Sequence, residues 1–283
     1  MERHKRVAAI HNISCVGRCS LTVALPIISA AGIDTGVLPT AVLSTHTGGF
    51  EGYTYRDLTD DIQPIAKHWE SLNLKFDALY SGFLGSFAQI DLVADLFRTF
   101  GKDALVMVDP VMADNGVLYK VYSQEMVKGM AKLCSMADLI VPNLTEAAFM
   151  LEEEYVGENY DQAYVERTLR KLSDMGAPKV VLTGISFEPG KLGAASYDRE
   201  TDTISYAFNE RVEGYFHGTG DVFGSALLSA LLNDFSLAEA TQIAVDYTLK
   251  CIQYTVELNQ ERRYGVAFEL ALPYLIQRLG LLK

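Results

Sequence analysis

The chain has 283 residues, with 36 acidic against 24 basic side chains and a net charge of −12. That balance excludes a general nucleic-acid surface, because gripping a phosphate backbone takes clustered Lys and Arg. With 49% hydrophobic and 21% charged residues, the composition is globular and long enough for one large α/β domain or two small ones.

The charged start, residues 1–6, leads into an apolar run that His11 and Asn12 break at once, so it lacks the apolar core of a signal peptide. Residues 7–10 are predicted as a short buried strand, followed by a polar loop of small residues over 12–20. Residues 21–31 are apolar at helical spacing and end at Gly32, a C-terminal cap. Residues 35–44 give a second strand, Thr45-His46-Thr47-Gly48-Gly49 a loop, and 59–72 an amphipathic helix. A strand over 77–80 enters Ser81-Gly82-Phe83-Leu84-Gly85, and residues 87–100 are helical. The strand 104–108 leads to Asp109-Pro110, the helix 123–135 follows, and the strand 139–141 leads to Pro142-Asn143. The helix 164–175 precedes the strand 179–182, which ends at Thr183-Gly184. Residues 193–197 and 203–208 read as a hairpin, and 221–232, 237–258 and 268–278 as helices.

Apolar strands alternating with helices predict a central parallel sheet buried on both faces. No linker or composition break appears, so a single domain over 1–283 is expected. The strands end in polar or acidic residues (Asn12, Thr47, Ser81, Asp109, Asn143, Thr183), and in open α/β sheets the ligand crevice lies at those ends. The plain alternative for any one of them is that loops begin with polar residues anyway. Cys15, Cys19, Cys134 and Cys251 are scattered, which reads as reduced thiols in a cytoplasmic protein. The C-x-x-x-C spacing of the first two is a weak zinc signal, and packing or ligand-lining thiols are favoured.

The segment His217-Gly218-Thr219-Gly220-Asp221 runs into an apolar helix. Small residues at a helix start leave main-chain N–H groups open, and the helix dipole adds partial positive charge, which makes an anion hole. A carboxylate beside such a hole suits phosphoryl transfer to a hydroxyl, with Asp221 taking the proton while amides hold the developing charge. An ordinary Gly-rich turn with a first-turn aspartate is the alternative for GTGD taken alone. No GxxxxGK[ST] is present, so this is not a P-loop protein, and the GxGxxxG at 218–224 is one residue too long for a dinucleotide fingerprint.

Together with Ser44-Thr45-His46-Thr47-Gly48, Ser81-Gly82-Phe83-Leu84-Gly85, Asp109-Pro110-Val111-Met112-Ala113-Asp114-Asn115-Gly116 and Pro142-Asn143-Leu144-Thr145-Glu146, the GTGD segment resembles the pyridoxal kinase group of the ribokinase-like superfamily over nearly the whole chain. The resemblance implies a single-domain α/β ribokinase-like fold with a central, mostly parallel sheet and helices on both faces. It implies ATP-dependent phosphorylation of the hydroxymethyl group of pyridoxal, pyridoxamine or pyridoxine. By position, Asp221 is the implied base and Gly218, Thr219 and Gly220 the anion hole. Asn143 and Glu146, one turn apart at a helix start, together with Asp109 and Asp114, are implied around Mg²⁺ and the ATP phosphates, with Asp114 and Glu146 nearest the metal. Thr183 is implied near the nucleotide phosphates. Taken alone, each of these five is equally an ordinary strand-end, turn or helix residue.

Asn12 and Thr47 match positions that hydrogen-bond the pyridine ring, His46 adjoins them, and Phe83 stands where an aromatic packs near the ring or, equally, is a core residue. The loop 11–20 begins with Asn12 where relatives carry Ser, which leaves the preferred vitamer open. Val141 stands where relatives often have a hydroxyl, which leaves a K⁺ requirement open. A homodimer is implied by analogy. The rival enzyme is a hydroxymethylpyrimidine kinase of thiamine synthesis. The rival outside catalysis is a silent metabolite-binding relative, which would have no physical reason to keep a base in an anion hole.

Overall fold

The computed structural model describes residues 4–282, so the first three residues of the charged start lie outside the described residues. The fold is α/β with mostly parallel strands. In chain order its elements are β1 (Arg6–Val16), α1 (Leu21–Ala30), β2 (Asp34–Thr45), β3 (Tyr55–Asp57), α2 (Thr59–Ser71), β4 (Ala78–Ser81), α3 (Phe87–Phe100), β5 (Leu105–Val108), β6 (Ala113–Asp114) and β7 (Val117–Leu118). There follow α4 (Gln124–Cys134), β8 (Leu139–Ile140), α5 (Leu144–Met150), α6 (Gln162–Asp174), β9 (Lys179–Ile185), β10 (Lys191–Asp198), β11 (Thr203–Glu210), α7 (Thr219–Leu232), α8 (Leu237–Glu257) and α9 (Phe268–Arg278). By their contacts they gather into two compact units, one up to residue 77 and from 212 onward, the other over 78–211. No sequence feature marks either boundary. No helix among the described residues is long and apolar enough to cross a membrane.

In the first unit β1 and β2 pair in parallel from Arg6 opposite Asp34 to Val16 opposite Thr45, with a register shift between His11 and Ile13. The strand β3 pairs antiparallel to β2 through three exposed residues. Helix α7 is apolar on nearly every side and packs against α1 and α8, as such a helix must. Its interior serines are accommodated because Ser225 Oγ and Ser229 Oγ donate to the carbonyls of Asp221 and Ser225, at 2.6 and 2.7 Å.

In the second unit β4, β5, β8 and β9 run parallel, and β10 and β11 continue antiparallel at the edge. The parallel strands are short buried runs of Val, Leu and Ile, and the helices start on side-chain caps. Ser86, Ser123 and Asp161 accept from Gln89, Met126 and Tyr164 N–H.

The long helices lie within two residues of their expected bounds. Strands fared less well. Strand β1 continues to Val16 because pairing with β2 carries it through Asn12 and Ser14, and β9 continues to Ile185. Asn12 and Thr183 are therefore strand residues, and the expectation that they end strands is corrected. The β6–β7 hairpin was missed, although Asn115-Gly116, both at positive φ (49° and 77°), forms the two-residue turn such hairpins favour. The strand β3 was missed because it has no apolar pattern to announce it.

Candidate active site

In the first unit, Gly218 sits at the N-cap of α7 in the left-handed region, φ 76°, with no side chain capping the helix. A Cβ there would lie 2.0 Å from the Arg18 carbonyl oxygen, so the turn admits only glycine. Thr219 is held by its hydroxyl donating to Phe216 O at 3.3 Å, and Gly220 is exposed. The helix start thus keeps its N–H groups open while Asp221 occupies the first turn. Asp221 is partly exposed, yet burial pushes its carboxyl pKa up to about 6, opposed by the Ser20 main-chain N–H that donates to it. A carboxylate poised near neutral pH is what a general base requires. Cys19 lies beside it, and burial together with the Asp221 charge holds its thiol well above the usual range. Such a thiol stays protonated and is a poor nucleophile.

The loop from β1 to α1 runs against this turn. Arg18 is anchored at both ends, its main-chain N–H donating to Tyr264 O at 2.8 Å and its guanidinium to Glu269 at 2.7 Å. Ser20 bridges to Ile13 and donates its hydroxyl to Asn12 Oδ1 at 2.8 Å. Asn12 is 4% exposed, so its amide is a buried group whose direction the hydroxyl fixes. Ser20 has φ 59° and ψ −132°, a region that costs a non-glycine residue on the order of 1–3 kcal/mol. An open cavity of about 550 Å³ beside the loop, lined by Val16, Arg18, Tyr264 and Glu269 among others, holds none of the expected site residues.

The His46 loop is held by its own histidine. Nε2 donates to Arg263 O at 2.5 Å and Nδ1 accepts from Gly48 N–H at 3.1 Å, so both ring nitrogens are spent on main chain. Burial lowers its pKa and the Arg263 carbonyl partly offsets that, while Nδ1, as an acceptor of Gly48 N–H, belongs to the neutral ring. Through both ring nitrogens His46 holds the loop that carries Thr47. His217 packs 5.0 Å from the His46 ring, and a Cβ on Gly48 would meet the His217 ring at 2.5 Å. Thr47, between them in the chain, is exposed. Sequence reasoning passed over Ser20 and His217. Adjacency of His217 to GTGD was the available signal for one, and nothing local signalled the other.

In the second unit Asn143 and Glu146 form a complete capping box at α5. Asn143 Oδ1 accepts from Glu146 N–H, and Glu146 Oε2 accepts from Asn143 N–H, both at 2.9 Å. Glu146 Oε1 also accepts from Met112 N–H at 2.9 Å, and Asn143 Nδ2 donates to Ala113 O at 2.8 Å. The pair thereby pins the segment after Asp109, including Val111 at φ 40°, to the helix start. Burial pushes the Glu146 pKa up to about 7, the donated N–H groups of Asn143, Met112 and Ala113 oppose it, and the Asp114 charge adds to the rise. Asp114 closes on its neighbour, accepting from Asn115 N–H at 2.9 Å. Thr183 pairs with Asn143 across a β-bridge, its N–H donating to Pro142 O at 2.9 Å. Asp109 is 7% exposed at the end of β5. Asn143, Glu146, Asp114 and Thr183 are thus brought together. Phe83 belongs to this unit, half-buried against Tyr122 with ring centroids 6.2 Å apart.

No three His, Cys, Asp or Glu side chains gather as a metal site among the described residues. With both Glu146 oxygens engaged by main chain, the carboxylates here fit an Mg²⁺ ion whose inner ligands are mostly phosphate and water, as that ion prefers.

The phosphomethylpyrimidine kinase family profile matches residues 31–265. Among solved structures, a Bacteroides thetaiotaomicron protein assigned as a phosphomethylpyrimidine kinase is 37% identical, with TM-score 0.93 over 97% of this chain and 94% of that one. Its crystal form with pyridoxal gives TM-score 0.92 at 37% identity, over 96% of each chain. The pyridoxal kinase of Lactobacillus plantarum is 30% identical, with TM-score 0.88 over 97% of both chains. A curated hydroxymethylpyrimidine/phosphomethylpyrimidine kinase of Rhizobium meliloti is 26% identical over 87% of this chain and 90% of its own length. The resemblance to the pyridoxal kinase group of the ribokinase-like superfamily holds, and with the profile spanning elements of both units the chain belongs to the phosphomethylpyrimidine kinase family.

Proposed function

We propose that the chain transfers the γ-phosphoryl group of ATP to the hydroxymethyl of a B6 vitamer, pyridoxal, pyridoxine or pyridoxamine. It is an enzyme of the kinase class, as its family is. The observation that carries the reaction is Asp221, a carboxylate with its pKa raised to about 6, in the first turn of a helix whose N–H groups no side chain caps. Asp221 takes the proton of the alcohol as its oxygen attacks, and the N–H groups of Gly218, Thr219 and Gly220 hold the charge on the moving phosphoryl group. The vitamer is favoured by the 37% likeness to a protein crystallised with pyridoxal.

Asn12 and Thr47 are assigned the polar atoms of the ring, Phe83 its face, and His46 the support of the loop that carries Thr47. Asp109, Asn143 and Thr183 are assigned the ATP phosphates, and Asp114 and Glu146 the water shell of Mg²⁺. Bound with ATP, Mg²⁺ would neutralise phosphate charge. The two units are proposed to act as one kinase domain in a cytoplasmic homodimer. The single domain is supported by a family profile that runs from the first unit through the second, the compartment by four cysteines outside any disulfide, and the dimer by analogy alone.

The second reading, phosphorylation of hydroxymethylpyrimidine, is favoured by the family description and by the Rhizobium meliloti relative. Competing turnover assays separate the two. ATP consumption dependent on a B6 vitamer, with hydroxymethylpyrimidine a poor competitor, is the expected result. Preferential turnover of the pyrimidine overturns the substrate assignment, and no turnover of either substrate would favour a silent relative.

A further inference from the structure

Ser20 behaves as no ordinary helix cap does. An N-cap serine takes extended dihedrals and gives its oxygen to the first turn of the helix. Ser20 precedes α1 at φ 59°, ψ −132°, and its side chain makes no cap bond. Its three polar groups go three ways. The carbonyl starts α1, accepting from Val23 and Ala24 at 3.0 and 2.9 Å. The main-chain N–H donates to the Asp221 carboxylate. The hydroxyl donates to Asn12 Oδ1 at 2.8 Å. A strained non-glycine residue persists only where its surroundings over-determine it, and here both tethers run to residues of the acceptor site.

We propose that Ser20 is a positioning residue for the acceptor substrate, its hydroxyl fixing the Asn12 amide so that the NH₂ face is presented to the ring. The proposal rests on the B6-vitamer reading above. With Oδ1 taken, Asn12 has its two Nδ2 donors left, one of them in a long bond to Ser14 Oγ at 3.4 Å. The ring atom they meet must be an acceptor, such as a ring nitrogen or the oxygen of a ring hydroxyl. A ring offering only a donor there would leave two donors facing each other and bind poorly. The strained backbone keeps the hydroxyl aimed away from the helix and toward Asn12.

The test is a double-mutant cycle on the full chain. Ser20→Gly keeps the main-chain N–H, suits positive φ and deletes the hydroxyl, while Ser20→Ala deletes it with the strain retained. Both should raise the vitamer KM roughly tenfold, the scale of one lost hydrogen bond, with the KM for ATP within about twofold of wild type. The acid limb of kcat/KM should not move, because the bond to Asp221 persists. In an Asn12→Ala background Ser20→Gly should have no further effect. An unchanged vitamer KM, losses that add across the cycle, or an ATP KM rising in step would each overturn the role. Should Ser20→Ala fail to fold, Ser20→Gly carries the test alone, and its melting temperature should not fall below wild type. Failure of the substrate assignment is seen separately, as a wild-type enzyme that does not turn over a vitamer.

Discussion

The two units each aim main-chain N–H groups from a helix start, by opposite means. At α5 in the second unit Asn143 takes one of those groups, the Glu146 N–H, and the Glu146 carboxylate is spent on the Met112 and Asn143 N–H groups. At α7 in the first unit it leaves them open, and the chain approaches them through backbone conformations most residues avoid, Gly218 at φ 76° and Ser20 at φ 59°. A helix start that caps itself has fewer main-chain N–H groups to offer, and one that does not can offer them to an anion. That contrast, together with the acid in its first turn, is what supports the proposed anion hole at α7.

The largest expected break comes from the base. Asp221→Ala should lower kcat by about 10²–10⁴-fold while ATP binding, read by titration, stays near wild type. Near-normal turnover would remove the assignment. Gly218→Ala should cost at least about 100-fold in kcat, since its Cβ would lie 2.0 Å from the Arg18 carbonyl and the N–H groups would be displaced. If kinetics are unchanged, the turn is not the anion hole.

At the self-capped end the effect should be on stability first. Glu146→Ala leaves the buried N–H groups of Met112 and Asn143 without their acceptor, at a cost of about 1–3 kcal/mol each, seen as a lower denaturation midpoint. An unchanged midpoint would mean the box is ornamental.

The pH dependence sharpens the same comparison. Ionised Asp221 is needed as base, so kcat/KM should fall on the acid side with an apparent pKa of about 6, and that limb should survive in Glu146→Gln. For stability, a carboxyl raised from 3.8 to about 6 in the fold binds more protons folded than unfolded, so its contribution falls as pH rises through that window. Asp221→Asn should therefore melt above wild type at pH 8, with the gain shrinking towards pH 4. A loss of stability at pH 8 would show that the charge is better solvated than its surroundings indicate.

Much of this was legible in the chain. The helices announced themselves through apolar spacing and Ser or Asp caps, and the GTGD, DPVM and NxxE segments marked the residues to examine. The Asn143 and Glu146 pairing was readable because a capping box is local, spanning three residues. His46 was harder, since the partner that ties down its ring, Arg263, lies far along the chain. Ser20 was illegible, because its meaning lies in Asn12 and Asp221, partners that no spacing rule connects.

By itself the sequence determined the alternation of elements, the small residues at the start of α7 and the acid in its first turn, because these follow from side-chain size, periodicity and local capping. Which helix start stays open, which carboxylate is spent on main chain and which serine gives up its cap were decided only in the tertiary structure. Those outcomes depend on hydrogen-bond partners brought from distant positions, and on the desolvation that packing imposes on the acids between them.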